Sequence, residues 1–209
     1  MATTQLIERL RDIKAVRDNI EKLINLFQSR TSHLKTHPER VAFEKMAKDA
    51  LTVDILAWSS IEFYNRHEAF IEQKVASGCK IRLLIVNDQS NSAKVIMENS
   101  RNKELIDDIQ RMKSRYEKFC NEYSSYSKNF ELRLTNWVSP LGIIITNRDK
   151  PGGAASIKLH AVYLPTHTAM DRYIYIDSHS NSDDFQYFVG QFENLWNTAS
   201  EYTVNKRVS

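Results

Sequence analysis

Little cysteine, no long apolar run and almost no excess charge mark this sequence. Two cysteines in 209 residues, Cys79 and Cys120, stand in no metal-like spacing. They read as reduced structural thiols of a cytoplasmic protein, not as a disulfide framework or a zinc site. The longest uncharged apolar runs, such as Leu141 to Thr146, fall far short of the ~20 residues that span a bilayer. The start "MATTQLIERLRDIK" mixes acid and base, so neither a transmembrane helix nor a secretory signal is expected. Lys+Arg exceeds Asp+Glu by 29 to 26, a formal charge of +3, too small and too scattered to argue for nucleic acid by itself. Gly152-Gly153 has no following helix and no Gly-Lys-Ser/Thr, which weakens any phosphate-loop reading and leaves no cofactor implied.

What is present begins with a periodic stripe. Leu6, Ile13, Ile20, Phe27 and Leu34 recur every seven residues, with Leu10, Arg17, Ile24 and Thr31 at the alternating positions. This spacing predicts an amphipathic helix over residues 4–34, ended by "SHLKTHPER" because the residue before Pro38 is driven out of the helical region. Leu6, Leu10, Ile13, Ile20, Ile24 and Phe27 form an interface either with a second copy, giving a homodimer, or with a partner protein or the following domain. Arg9, Arg11, Lys14, Arg17 and Lys22 on the same helix would serve a nucleic-acid adaptor, but they alternate with acids as a solvated face does.

After the proline the pattern turns to alternating elements. "LTVDILAW" at 51–58 and "CKIRLLIVND" read as buried strands. Between them "IEFYNRHEAFIEQKVASG" is a helix with Ile61, Tyr64, Ala69, Phe70 and Ile71 near one face, preceded by Ser59 and Ser60 as N-caps. Strand, helix and strand make a parallel βαβ unit. Leu105, Ile109, Met112, Tyr116 and Phe119 define a second long helix that covers the sheet. From Phe130 the period becomes two, giving four strands: "FELRLTNW", "LGIIITN", "SIKLHAVYL" and "RYIYID". Asp183 then caps a last helix with an aromatic stripe of Phe185, Phe188, Phe192 and Trp196. The expected fold is α/β: a mixed, mainly parallel sheet flanked by helices, with residues 1–37 as the N-terminal helix, 38–200 as the domain and 201–209 as a polar tail.

The stretch "AKDALTVDILAWSSIEFYNRHEAFIEQKVASGCKIRLLIVNDQS", followed much later by paired strands and a terminal "FENLWNTA", resembles one half-domain of the phospholipase D superfamily over residues 40–200. The resemblance implies a phosphodiester-cleaving site built on His-x-Lys-x4-Asp, with pairing of half-domains to complete a cleft. That signature demands a histidine nucleophile and a lysine two residues on, pointing to the same side of the strand. Counting from His160, the positions two and seven residues on hold Val162 and His167. His33 is followed by Lys35, but Arg40 replaces the aspartate. A degenerate, non-catalytic member is what the resemblance then implies.

Candidate ligand contacts follow from the sheet itself, because open sheets bind ligands beyond the carboxyl ends of their strands. Those ends present Trp58, Ser59 and Ser60 after the first strand and Asn87 and Asp88 after the second, with Arg133 and His160 from later strands facing the same cleft. Serine hydroxyls at a helix N-terminus favour an anion such as phosphate. A metal site built from His167, Asp171, Asp177 and His179 is disfavoured, since the strand between the pairs spans ~20 Å. The reading is a non-catalytic sensor or interaction module, with a divergent phosphodiesterase or nuclease using His160 as the alternative. Neither bis(p-nitrophenyl) phosphate nor single-stranded DNA should be turned over by the purified protein, with or without divalent metal. Turnover that His160→Ala abolishes would instead place His160 in a divergent catalytic site.

Overall fold

The computed structural model describes residues 36–37, 43–99, 104–159 and 173–204. The chain divides into two compact units, residues 1–35 and 36–209. The expected helix of residues 4–34, with its stripe of Leu6, Leu10, Ile13, Ile20, Ile24 and Phe27, lies outside the described residues, and so does His160.

The elements run in chain order as β1 Thr36–His37, α1 Phe43–Ala47, β2 Thr52–Leu56, α2 Ile61–Ala76, β3 Lys80–Val86, α3 Asn91–Asn99, α4 Leu105–Glu122, β4 Phe130–Thr135, β5 Leu141–Thr146, β6 Ala154–Leu159, β7 Tyr173–Asp177, α5 Ser182–Thr198 and β8 Ser200–Glu201. They form one eight-stranded sheet in the order β1-β7-β6-β5-β2-β3-β4-β8. The fold is α/β with a mixed open sheet, as expected, but the sheet is not mainly parallel. Only β2-β3 and β3-β4 pair parallel. The pairings β1-β7, β2-β5, β4-β8, β5-β6 and β6-β7 are antiparallel. The cause is the length of the connections: α2, and then α3 with α4, return the chain to the same end of the sheet, whereas the short β5–β6 turn can only reverse it.

Local sequence accounts for the helices. In α2, Ile61, Tyr64, Ile71 and Val75 are buried, but Ala69 is exposed and His67 leaves the helical region at φ −120°. His67 packs against the rings of both Phe43 and Phe63, which also touch each other, with Nδ1 3.0 Å from Glu44 Oε1. Ala69 lies more than about 100° around the helix from the face of Tyr64, Ile71 and Val75. Gly78 ends the helix at φ 90°, a conformation that glycine adopts without a side-chain clash. In α4 all five expected positions, Leu105, Ile109, Met112, Tyr116 and Phe119, are buried. These helices share one core with Val53, Ile55, Ile81, Leu83, Ile85, Phe130 and Leu132 on one side of the sheet.

Helix α5 covers the other side with Phe185, Phe188, Phe192 and Trp196. Its N-cap position is held by Asn181, not Asp183, and Asn181 Nδ2 donates to Asp184 Oδ2 at 2.7 Å. Gly153 allows the helix to seat: a Cβ there would stand 2.6 Å from Phe185 Cζ and 2.8 Å from Asn147 O. Past α5 the chain stays in the fold. Tyr202 N donates to Leu132 O at 3.0 Å and Val204 packs against the core, so residues 201–204 belong to the domain and the polar tail expected from 201 is corrected there. At the other end β1, Thr36–His37, joins the sheet although the expected N-terminal helix segment covers residues 1–37, so that boundary falls before Thr36.

Under α5 lies a charged cluster. Asp54, in the middle of β2 with no exposed surface, accepts from Arg82 Nε at 2.7 Å and from Arg148 Nη1 at 2.9 and 3.0 Å. Glu193 of α5 accepts from Arg82 Nη1 at 3.2 Å and from Arg82 Nη2. The Arg82 guanidinium also lies 4.9 Å from the ring centres of both Phe192 and Trp196. Removing one partner of a buried ion pair leaves the other charge desolvated and uncompensated. Asp54→Ala should therefore lower unfolding stability by about 3–5 kcal/mol in urea titration. A loss of about 1 kcal/mol or less, the size of an exposed pair, would contradict this assignment.

Candidate functional site

The carboxyl ends of β2, β3 and β4 lie side by side, and two helices begin there: α2 from the end of β2 and α3 from the end of β3. Their first-turn N–H groups have no partner within their own helix, so each start favours negative charge. At α3 the arrangement is closed locally, because Ser90 Oγ accepts from Ala93 N at 3.1 Å. At α2 it is not. Ser60 holds the N-cap position at φ 62°, in the left-handed region, and its side chain makes no capping hydrogen bond. The residue is only 9% exposed, and its Oγ has no hydrogen-bond partner. A buried hydroxyl ordinarily finds a partner, which makes this one informative. Ser59, expected to share the capping, is half-buried beside it.

A strap crosses this rim. The chain leaves β4 at Thr135 and enters β5 at Leu141, yet β5 lies beyond β3 and β2 in the sheet. Residues 136–140 cover three interstrand steps, roughly 14 Å, and cross over the ends of β3 and β2 with bends at 136, 137 and 140. Asn87 Nδ2 donates to Asn136 Oδ1 at 3.0 Å, and Trp58 Nε1 donates to Ser139 O at 2.8 Å. Inside the strap Trp137 N donates to Thr135 Oγ1 at 3.1 Å and Leu141 N to Ser139 Oγ at 3.1 Å. Val138 packs inward against the core, while Trp137 is 68% exposed.

The structure thus gathers Trp58, Ser59, Ser60 and Asn87 at one place. It gives the other two described candidates partners of their own. Asp88 is buried, and Lys113 Nζ of α4 donates to its Oδ1. Burial alone would raise the Asp88 carboxyl, but the Lys113 ammonium outweighs it and holds the group below its ordinary range. Arg133 projects to the α5 side of the sheet, where Nη1 donates to Trp196 O at 3.0 Å and the guanidinium lies 4.5 Å from the Trp196 ring centre. Asn136, Trp137 and Ser139 were missed by sequence reasoning, because their relevance comes from a strand order that no local pattern encodes.

At the opposite end of the sheet a shallow polar cleft of about 490 Å³ opens between the β5–β6 turn and the β7–α5 turn. Arg148 in its wall is already held by Asp54, Glu193 and Asp149. Of the four residues of the disfavoured metal site, Asp177 and His179 lie here, joined by His179 N donating to Asp177 Oδ1, while His167 and Asp171 lie outside the described residues. Among the described residues no group of three or more His, Cys, Asp or Glu converges as a metal site, and no helix is long and apolar enough to cross a membrane.

The geometry defines an α/β domain whose strand-end rim carries two helix starts and the strap of residues 136–140. No family model and no curated protein matches the chain. Among solved structures it is similar to TrmBL2, an archaeal chromatin protein whose structure shows a novel mode of DNA binding. That likeness has 14% identity, a TM-score of 0.48, and covers 95% of this chain and 68% of the other. A likeness at that level transfers no function.

The Asp88 and Glu193 carboxyls both titrate below their ordinary values, Glu193 chiefly through its hydrogen bonds from Arg82 and against the opposing effect of burial. A group with a depressed folded pKa stabilises above its unfolded value and loses that contribution as pH falls through the folded one. Stability should therefore fall on acidification below about 4.5, the ordinary Glu value. Asp88→Asn and Glu193→Gln should each flatten that acid limb in thermal melts recorded from pH 6 to about 2.5. An unchanged slope in both variants would disprove the assignment.

Proposed function

We propose that this chain is a non-catalytic, phospholipase D-like module that binds a phosphate-bearing ligand at the strand-end recess and self-associates through its N-terminal stripe. The observation that carries the binding part is Ser60 Oγ: a hydroxyl at the mouth of a sixteen-residue helix, more than nine-tenths buried, with no partner. Leaving such a group unsatisfied costs about 1–3 kcal/mol, a penalty that a ligand oxygen at α2 would relieve. The first-turn N–H groups of the same helix supply the favourable field for an anion.

The element order supports the phospholipase D-like reading. β2 and α2 lead through the turn at Gly78 into β3, and the aromatic helix α5 follows β7, in the order that the resemblance implies. The recess has the character of a binding site: its described side chains are hydroxyls, amides and indoles, and its one buried carboxylate, Asp88, is neutralised by Lys113. Such groups hold and orient a ligand; none of them forms a nucleophile–base couple at this rim among the described residues.

Titration calorimetry with inorganic phosphate and pyrophosphate tests the reading. Both should bind the intact protein, and Ser60→Ala should weaken binding roughly tenfold, the value of one hydrogen bond to a charged group. The same variant should keep or raise the melting temperature, since it removes a buried unpaired hydroxyl without altering the Cβ. A lowered melting temperature with unchanged affinity would make Ser60 a structural residue and refute the site.

A further inference from the structure

Resting on the strand-end anion site proposed above, we infer that its ligand carries a planar base as well as phosphate, which makes it a nucleotide. The inference comes from Trp137. Tryptophan is among the most deeply buried residues on average, yet this indole is 68% exposed. It is not exposed by looseness. Asn136 is tied to Asn87 at the end of β3, Ser139 is tied to Trp58 at the end of β2, and Val138 is packed inward. The strap therefore holds Trp137 between its tethers to the ends of β3 and β2 with the indole exposed to solvent, and Ser60 follows Trp58 by two residues in the chain. A fixed aromatic face beside an anion site is the arrangement that single-stranded nucleic-acid and nucleotide sites use, because every base has a π-face to stack on it.

The surroundings favour a base over an acyl chain. Trp137 is flanked by Asn136 and Ser139, not by further exposed apolar side chains, so it does not form the contiguous patch that a lipid surface requires. Asn136 accepts through Oδ1 and has no partner for its Nδ2 among the described residues, and Asn87 Nδ2 keeps a second hydrogen. Amides with donors to spare at the edge of a stacking platform suit the acceptors on a base edge. The division of labour is then clear: helix α2 with Ser60 takes the phosphate, Trp137 stacks on the base, and the asparagine pair reads its edge.

The experiment measures binding of inorganic phosphate, ribose 5-phosphate, AMP and a ten-residue oligothymidylate to the full chain, by calorimetry and by tryptophan fluorescence. AMP should bind roughly tenfold more tightly than ribose 5-phosphate, the value of one stacked base. Trp137→Ala should abolish that difference while leaving ribose 5-phosphate affinity and melting temperature unchanged, and Trp137→Phe should retain most of it. Oligothymidylate binding tighter than AMP supports a nucleotide ligand supplied as single-stranded nucleic acid, and weaker binding supports a free nucleotide. Equal affinities for AMP and ribose 5-phosphate, or a difference that survives Trp137→Ala, would overturn the inference while the phosphate site stands. Binding of none of the four probes would overturn the site and the inference together.

Discussion

Asp54 is the constraint around which the rest of the domain is arranged. A carboxylate with no solvent contact, placed mid-strand in β2, has to be neutralised from within, and it takes its partners from two other parts of the chain. Arg82 comes from the neighbouring parallel strand and Arg148 from the turn that joins β5 to β6. Glu193 then ties α5 to both guanidinia. The desolvation of such a cluster offsets much of its Coulomb energy, so its contribution lies less in net stability than in geometry. An aromatic helix could slide on an apolar sheet at little cost, whereas a helix whose glutamate must meet Arg82 has one place to sit.

That arrangement also decides the chemistry left for the strand ends. The strong cations of the central strands are committed on the α5 side: Arg82 and Arg148 to carboxylates, Arg133 to the Trp196 carbonyl and ring. Lys113 is committed to Asp88. What remains at the strand-end rim are dipoles: helix N–H groups, hydroxyls and amides.

The helix stripes and the βαβ beginning were legible in the sequence because each rests on contacts between residues near in the chain. The five apolar positions of α4 are all buried, and the aromatic stripe of α5 faces the sheet as its spacing implies. The capping residues were less legible. Ser60 stands where an N-cap should, but with a left-handed backbone and no capping bond, and Asn181 displaces Asp183 at the start of α5.

By itself the sequence determined the type of most of the described elements, the buried faces of α4 and α5 and the polar character of the strand ends. All of these follow from periodicity and from residue chemistry over a turn or two. The tertiary structure alone decided that five of the seven strand pairings run antiparallel, that Arg133 turns to Trp196, and that residues 136–140 become a strap over the recess. Each of these depends on which strands become neighbours. Strand order is set by the summed packing of the whole sheet, and alternation along a single strand carries no information about the strand beside it.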